Sequence, residues 1–144
     1  MGTLLAIGTK DYSRGPMKQH ERAVISQANG VEDDFRGSNS GRNVVVLTRE
    51  GWDAACRELG QSLDWTARRA NLFVEGVNLT GQTGVRLRIG EVVLEVTGEC
   101  DPCERMESAA SGLCAALEPD WRAGVTCVVV SEGTIAPGDV VALE

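Results

Sequence analysis

The stretch Val85-Arg86-Leu87-Arg88-Ile89-Gly90-Glu91-Val92-Val93-Leu94-Glu95-Val96 decides the fold. Apolar residues alternate with Arg at period two up to Gly90, and a second β-branched run follows at once, so the segment reads as two strands joined at Gly90-Glu91 by a tight hairpin. Upstream, Asn71 to Gly76 is another short strand, and Val44-Val45-Val46-Leu47 is a continuous apolar run of the kind buried on both faces or inside a barrel. Thr3 to Gly8 reads as the first strand; Thr126 to Val130 and Ile135 to Leu143, around the turn Pro137-Gly138-Asp139, read as the last. Six or seven evenly spaced strands with one or two helices predict a mainly β (α+β) domain, a closed β-barrel rather than a βαβ sheet. One predicted helix is N-capped by Thr48, carries Trp52, Cys56 and Leu59 on one face and stops at Gly60; Cys56 there reads as a small core hydrophobe. The other spans Cys103 to Leu117, with Pro119 as its stop.

The chain has 144 residues, enough for one domain, 1–144, that buries roughly 70% of its unfolded surface without staples. Leu143-Glu144 has the look of residues left by cloning and is given no weight. No apolar run nears the roughly 20 residues of a membrane span, so no membrane partner is expected. Acidic residues outnumber basic ones 21 to 14, a net charge of -7, which repels a phosphate backbone and argues against nucleic acid. Of the basic residues only Lys10 and Lys18 are lysines. Arginine forks suit small anions, although genome-wide composition gives the same skew. Five cysteines, an odd number, and no signal-like N-terminus predict a reducing, cytoplasmic setting.

Chemistry concentrates at Cys100-Asp101-Pro102-Cys103, where a strand runs into a helix start. The geometry favours a thiolate at the positive helix end; Arg105 adds to this, while Glu99, Asp101 and Glu104 oppose it. A zinc site wants a second Cys/His pair, but His20 is the only histidine; a thioredoxin-like motif wants a βαβ setting, absent here. That leaves a nucleophilic or metal-ligating Cys103 with Cys100 as neighbour or resolving partner, or two incidental cysteines in a turn. Arg68, Arg69 and Asn71 at a strand mouth suit a phosphate or a pterin-like heterocycle, or form a solvated turn; Arg36 and Arg42 share that ambiguity. Lys10 to Gly41 is long and irregular, a candidate site wall. His20, beside Glu21 and Arg22, reads as solvated. Neither a Ser/His/Asp set nor a phosphate loop is present.

Arg69 to Leu79, then Gly84 to Gly90, then Leu94 to Met106 with its Cys100-Asp101-Pro102-Cys103, and finally Gly133-Thr134-Ile135 with Gly138-Asp139-Val140-Val141, taken in order, closely resemble the MOSC domain, the C-terminal domain of molybdenum cofactor sulfurases, also found as stand-alone bacterial proteins. The likeness covers most of the chain from about Val24. It implies a β-barrel-rich fold and a role with sulfur or molybdenum. The family's key cysteine falls on Cys103, and its Arg-x-Asn motif on Arg69 and Asn71. In the early loop, where members often have Gly-Asp and a basic residue, this chain has Asp33-Asp34-Phe35-Arg36.

The resemblance thus implies a sulfur-carrier or molybdenum cofactor-binding protein, with Cys103 holding persulfide sulfur or ligating the molybdenum of a pterin cofactor, and Arg69, Asn71, Arg36, Arg42 and Arg105 lining the pocket. Pyridoxal phosphate would belong only to a partner, a cysteine desulfurase serving as sulfur donor; a molybdoenzyme would be the acceptor. The alternatives are a non-catalytic molybdopterin module and a molybdenum-dependent reductase of N-oxygenated compounds with an external electron donor, since the sequence has no iron-sulfur pattern.

Overall fold

Val44–Thr48 is buried along both faces, as a continuous β-branched run demands. Val44 and Val46 join one apolar cluster, and Val45 and Leu47 join another. The first cluster fills the inside of a closed seven-stranded barrel; the second lies between its outer wall and the helices. The computed structural model describes residues 1–35, 37 and 43–144. The expectations placed on Arg36 and Arg42 lie outside the described residues.

In chain order the strands are β1 (Gly2–Thr9), β2 (Lys18–His20), β3 (Ala23–Ser26), β4 (Gly30–Val31), β5 (Val44–Thr48), β6 (Leu72–Glu75), β7 (Arg86–Ile89), β8 (Val92–Glu99), β9 (Val125–Ser131), β10 (Gly133–Ile135) and β11 (Val140–Leu143). The barrel runs β1, β6, β5, β9, β8, β7, β11 and closes back on β1. Its pairings are antiparallel except β5 with β6, where Val46 lies opposite Leu72. The mainly β barrel expected from strand spacing is therefore the fold. In the β7–β8 hairpin Ile89 faces Val92 across the two-residue turn; Leu87 and Ile89 point into the core while Arg86 and Arg88 are exposed. Leu143 pairs with Leu87, and Glu144 meets Arg88 in an ion pair at 2.5 Å.

Two departures concern local structure. The irregular stretch after β1 contains three short strands: β2 extends the barrel wall from β1, and β3 joins β4 and β10 in a small sheet that sends Ala23, Ile25, Val31 and Ile135 into the barrel core. The helix expected over 103–117 is two helices, α2 (Glu104–Ala109) and α3 (Leu113–Leu117), preceded in the chain by α1 (Arg49–Leu59). Gly112, at φ 88°, interrupts the run with a backbone conformation that a helix cannot contain. The Glu107 carboxylate then accepts from the Gly112 and Cys114 amides at 2.9 and 3.3 Å, which fixes the corner. For α1 the capping expectation holds: the Thr48 hydroxyl accepts from the Gly51 amide at 3.1 Å, and left-handed Gly60 closes the helix. The helices cover the outer cluster through Trp52, Met106, Leu113 and Leu117. Among the described residues no helix is long and apolar enough to cross a membrane.

Candidate functional site

Strand β8 ends at Glu99, and the next four residues carry the paired cysteines to the start of α2. The two cysteines part company there. Cys100 is 5% exposed and belongs to the outer apolar cluster, whereas Cys103 is exposed. What separates them is Arg68, the last residue of a 3₁₀ turn (Trp65–Arg68) and only 7% exposed. Its Nε donates to the Ala123 carbonyl at 2.8 Å, and its Nη2 lies 3.1 Å from the Cys100 carbonyl oxygen and 3.0 Å from Cys100 Sγ. The Cys100 amide in turn donates to the Gly124 carbonyl at 2.9 Å. Arg68 thus ties the turn before β6, the segment before β9 and the end of β8 into one knot, and Cys103 is held three residues beyond it. Cys103 has extended backbone and occupies the N-cap position of α2 without a side-chain capping bond. With only six residues, α2 contributes less helix dipole than a single helix from 103 to 117 would supply.

Cys103 opens on a cleft of about 720 Å³ whose walls include Arg14, Arg69, Glu104, Arg105 and Ser108. A smaller hollow of about 280 Å³ shares Arg69, Cys103 and Arg105 with it and adds Lys10, Ser13, Phe35 and Arg68. Among the described residues, five cationic side chains and one carboxylate, Glu104, line these two spaces beside the thiol, in a protein whose net charge is -7. Such a local inversion of sign favours anions over cations at the cleft. The Arg69 backbone is left-handed, at φ 65°, where it ends the 3₁₀ turn, and its guanidinium donates to the Gly15 carbonyl. That contact anchors the loop bearing Arg14 across the cleft from α2.

The structure brings together three of the residues expected from sequence: Cys103, Arg69 and Arg105. Asn71 is placed elsewhere. It is 1% exposed; its Oδ1 accepts from the Val45 amide at 2.9 Å and its Nδ2 donates to the Gly8 carbonyl at 3.2 Å, so the carboxamide links β5 to β1. Lys10, Ser13 and Arg14 come from the stretch marked as a site wall, but nothing in their local sequence singles them out. His20, expected to be solvated, is half-buried and lies 2.6 Å from the Thr9 hydroxyl in a separate hollow of about 370 Å³ lined by Asp11, Lys18, Asp33 and Asp34.

The other thiols are poorly placed to react. Burial, reinforced by Cys100, pushes Cys127 up to about 12. Burial also raises Cys114, with Glu118, Glu107 and Cys103 adding to the rise and Arg68 opposing it. Cys56 is buried beneath α1. Of the acids flanking the motif, Glu99 is raised by burial and by Asp101. Among the described residues no group of three or more His, Cys, Asp or Glu side chains is arranged to hold a metal ion; the thiol among the residues lining the cleft is that of Cys103, a soft donor.

The profile described as the MOSC domain matches residues 32–142. No curated protein matches the sequence. Among solved structures the chain is similar to the YuaD protein of Bacillus subtilis, at TM-score 0.80 and 19% identity over 99% of this chain and 96% of that one. It is also similar to YiiM of Escherichia coli (TM-score 0.74, 17% identity, 99% and 69% of the two chains) and YiiM of Geobacillus stearothermophilus (TM-score 0.75, 13% identity, 100% and 75%). At these identities the structural likeness speaks for the fold.

Proposed function

Because the chain belongs to the MOSC domain family, which is associated with the molybdenum cofactor, we propose that it works as a sulfur carrier whose Cys103 holds transferable sulfur as a persulfide. One observation carries this reading: of the five cysteines, Cys103 is the exposed one, and it stands at a cleft walled by arginines. A thiolate there is both nucleophile and carrier, and the resulting persulfide anion gains from the same cations. Cys100, sealed and bonded to Arg68, acts as an anchor for the turn. In this reading a cysteine desulfurase loads Cys103, a molybdoenzyme takes the sulfur, and the free thiols suit a reducing cytoplasm.

The cleft volume favours a second reading in which the pterin cofactor itself is bound. A space of about 720 Å³ lies within the usual range for small-molecule sites, a thiolate is a suitable soft ligand, and arginine forks suit the cofactor's anionic end. Cys103 would then hold the metal, and Arg14, Arg69 and Arg105 the anionic end. The bound group would supply oxo and sulfur transfer chemistry. A reductase of N-oxygenated compounds would further need an external electron donor.

The test is to incubate reduced protein with a cysteine desulfurase and cysteine and to record intact mass. A gain of one sulfur in wild type and none in Cys103→Ala supports the carrier; equal gain in both refutes it. Metal analysis of protein produced in a molybdopterin-making host tests the second reading, which requires molybdenum in wild type and its loss in Cys103→Ala.

A further inference from the structure

The cations around Cys103 are more than a protein-to-protein sulfur relay requires, since a partner's persulfide needs only to reach an exposed thiol. Arg68 is the sharpest instance. It is a buried charge that, among the described residues, has carbonyls and a sulfur as partners but no carboxylate. Nε and Nη2 are bonded, which leaves Nη1 uncommitted on a residue that lines the smaller hollow. Arg105 and Arg14 likewise form no ion pair among the described residues. Buried or clustered guanidinium groups without acids are stable when an anion completes them. The hollow, about 280 Å³, has room for a tetrahedral oxyanion, and Cys103 is on its wall.

Building on the carrier reading, we propose that Cys103 accepts sulfur directly from a small dianion bearing a terminal sulfane sulfur, of which thiosulfate is the simplest. The Cys103 thiolate attacks the terminal sulfur and forms a Cys–S–S bond. The S–S bond of thiosulfate breaks, and its electron pair leaves with sulfite. Three negative charges enter and three leave, no proton moves, and no oxidant or reductant is consumed. Arg68 and Arg105 hold the departing sulfite end, so the charge is stabilised where it gathers.

The test uses the full chain, reduced and desalted, exposed to thiosulfate while sulfite release and intact mass are followed. The expected result is one equivalent of sulfite, a single-sulfur mass gain that dithiothreitol removes, no gain in Cys103→Ser, and competition by sulfate. Arg105→Gln should raise the thiosulfate concentration for half-loading roughly tenfold, the loss expected for one charge-assisted contact. If thiosulfate fails where a cysteine desulfurase with cysteine loads Cys103, the donor class proposed here is wrong and the carrier reading stands. If neither loads it, both fall. Loading that Arg105→Gln does not weaken, or that sulfate does not inhibit, overturns the oxyanion site.

Discussion

Asn71→Ala separates a structural clamp from a ligand contact. In the folded protein the Asn71 carboxamide satisfies two buried backbone groups, the Val45 amide in β5 and the Gly8 carbonyl in β1. Alanine leaves both without that partner in a place water does not reach, as Asn71 is 1% exposed. Each stranded buried group costs about 1–3 kcal/mol, so the pair should cost roughly 2–6 kcal/mol. Against a total stability of about 5–15 kcal/mol this is a large fraction. Urea unfolding at neutral pH, followed by the fluorescence of the three tryptophans, reads it directly as a lower midpoint at constant slope. Asn71→Asp gives an internal check. It keeps an acceptor for the Val45 amide but turns an oxygen toward the Gly8 carbonyl, and should destabilise at least as much. In conditions where Asn71→Ala remains folded, Cys103 should react with iodoacetamide at nearly the wild-type rate, since Asn71 does not line the cleft. A variant within about 1 kcal/mol of wild type, or one that keeps its stability while Cys103 chemistry slows, would refute the clamp and return Asn71 to the ligand.

Three further outcomes follow from the geometry. Iodoacetamide at neutral pH should modify Cys103 first and Cys114 only more slowly or at higher pH, with Cys127 protected until the chain unfolds; peptide mapping that finds Cys114 first would contradict this. Asp64→Ala should cost about 1 kcal/mol at pH 7, because Asp64 caps the 3₁₀ turn through bonds from the Thr66 amide and hydroxyl that hold its carboxyl below the ordinary value. That ionised-form contribution is complete above the unfolded Asp value and lost as pH falls through the lower folded value, so the gap between variant and wild type should narrow in acid; a gap that widens there is the contrary result. Gly124→Ala should exceed the roughly 1–2 kcal/mol of a left-handed residue alone, since φ is 99° and the new Cβ would lie 2.4 Å from the Val46 carbonyl oxygen; denaturation showing less than about 1 kcal/mol would refute it.

What was legible in the sequence was what short-range periodicity encodes. Leu87 and Ile89 against Arg86 and Arg88 announce a half-buried strand within four residues, and Val44 to Leu47 announces a strand with no polar face. The break at Gly112 was hidden because Leu113, Ala116 and Leu117 continue a helical apolar spacing on its far side. Strands β2 and β4, of three and two residues, are too short to display a period. At the site, Cys103, Arg69 and Arg105 lie beside a motif that marks them. Arg14 reaches the cleft, and Lys10 the smaller hollow beside it, through long-range packing that leaves no local trace. Asn71 was visible as a motif residue, but its partners lie 26 and 63 residues away in the chain, and only the barrel's closure reveals that its amide is committed to them.

The paired cysteines show how one motif divides between fold and chemistry. Two thiols three residues apart would compete for the same reaction if both reached solvent, and oxidation would join them. Here the buried guanidinium of Arg68 holds the carbonyl and the sulfur of Cys100 at 3.1 and 3.0 Å, within the outer apolar cluster. The turn that follows runs through Asp101-Pro102, where proline restricts the backbone, and Cys103 emerges on the cleft side. Cys100→Ala should therefore loosen the turn and lower stability while leaving the single-sulfur mass gain in place; Cys103→Ala should leave stability unchanged and abolish that gain. If both substitutions abolish sulfur loading from folded protein, the two thiols act together, and the division of labour drawn from the Arg68 knot is wrong.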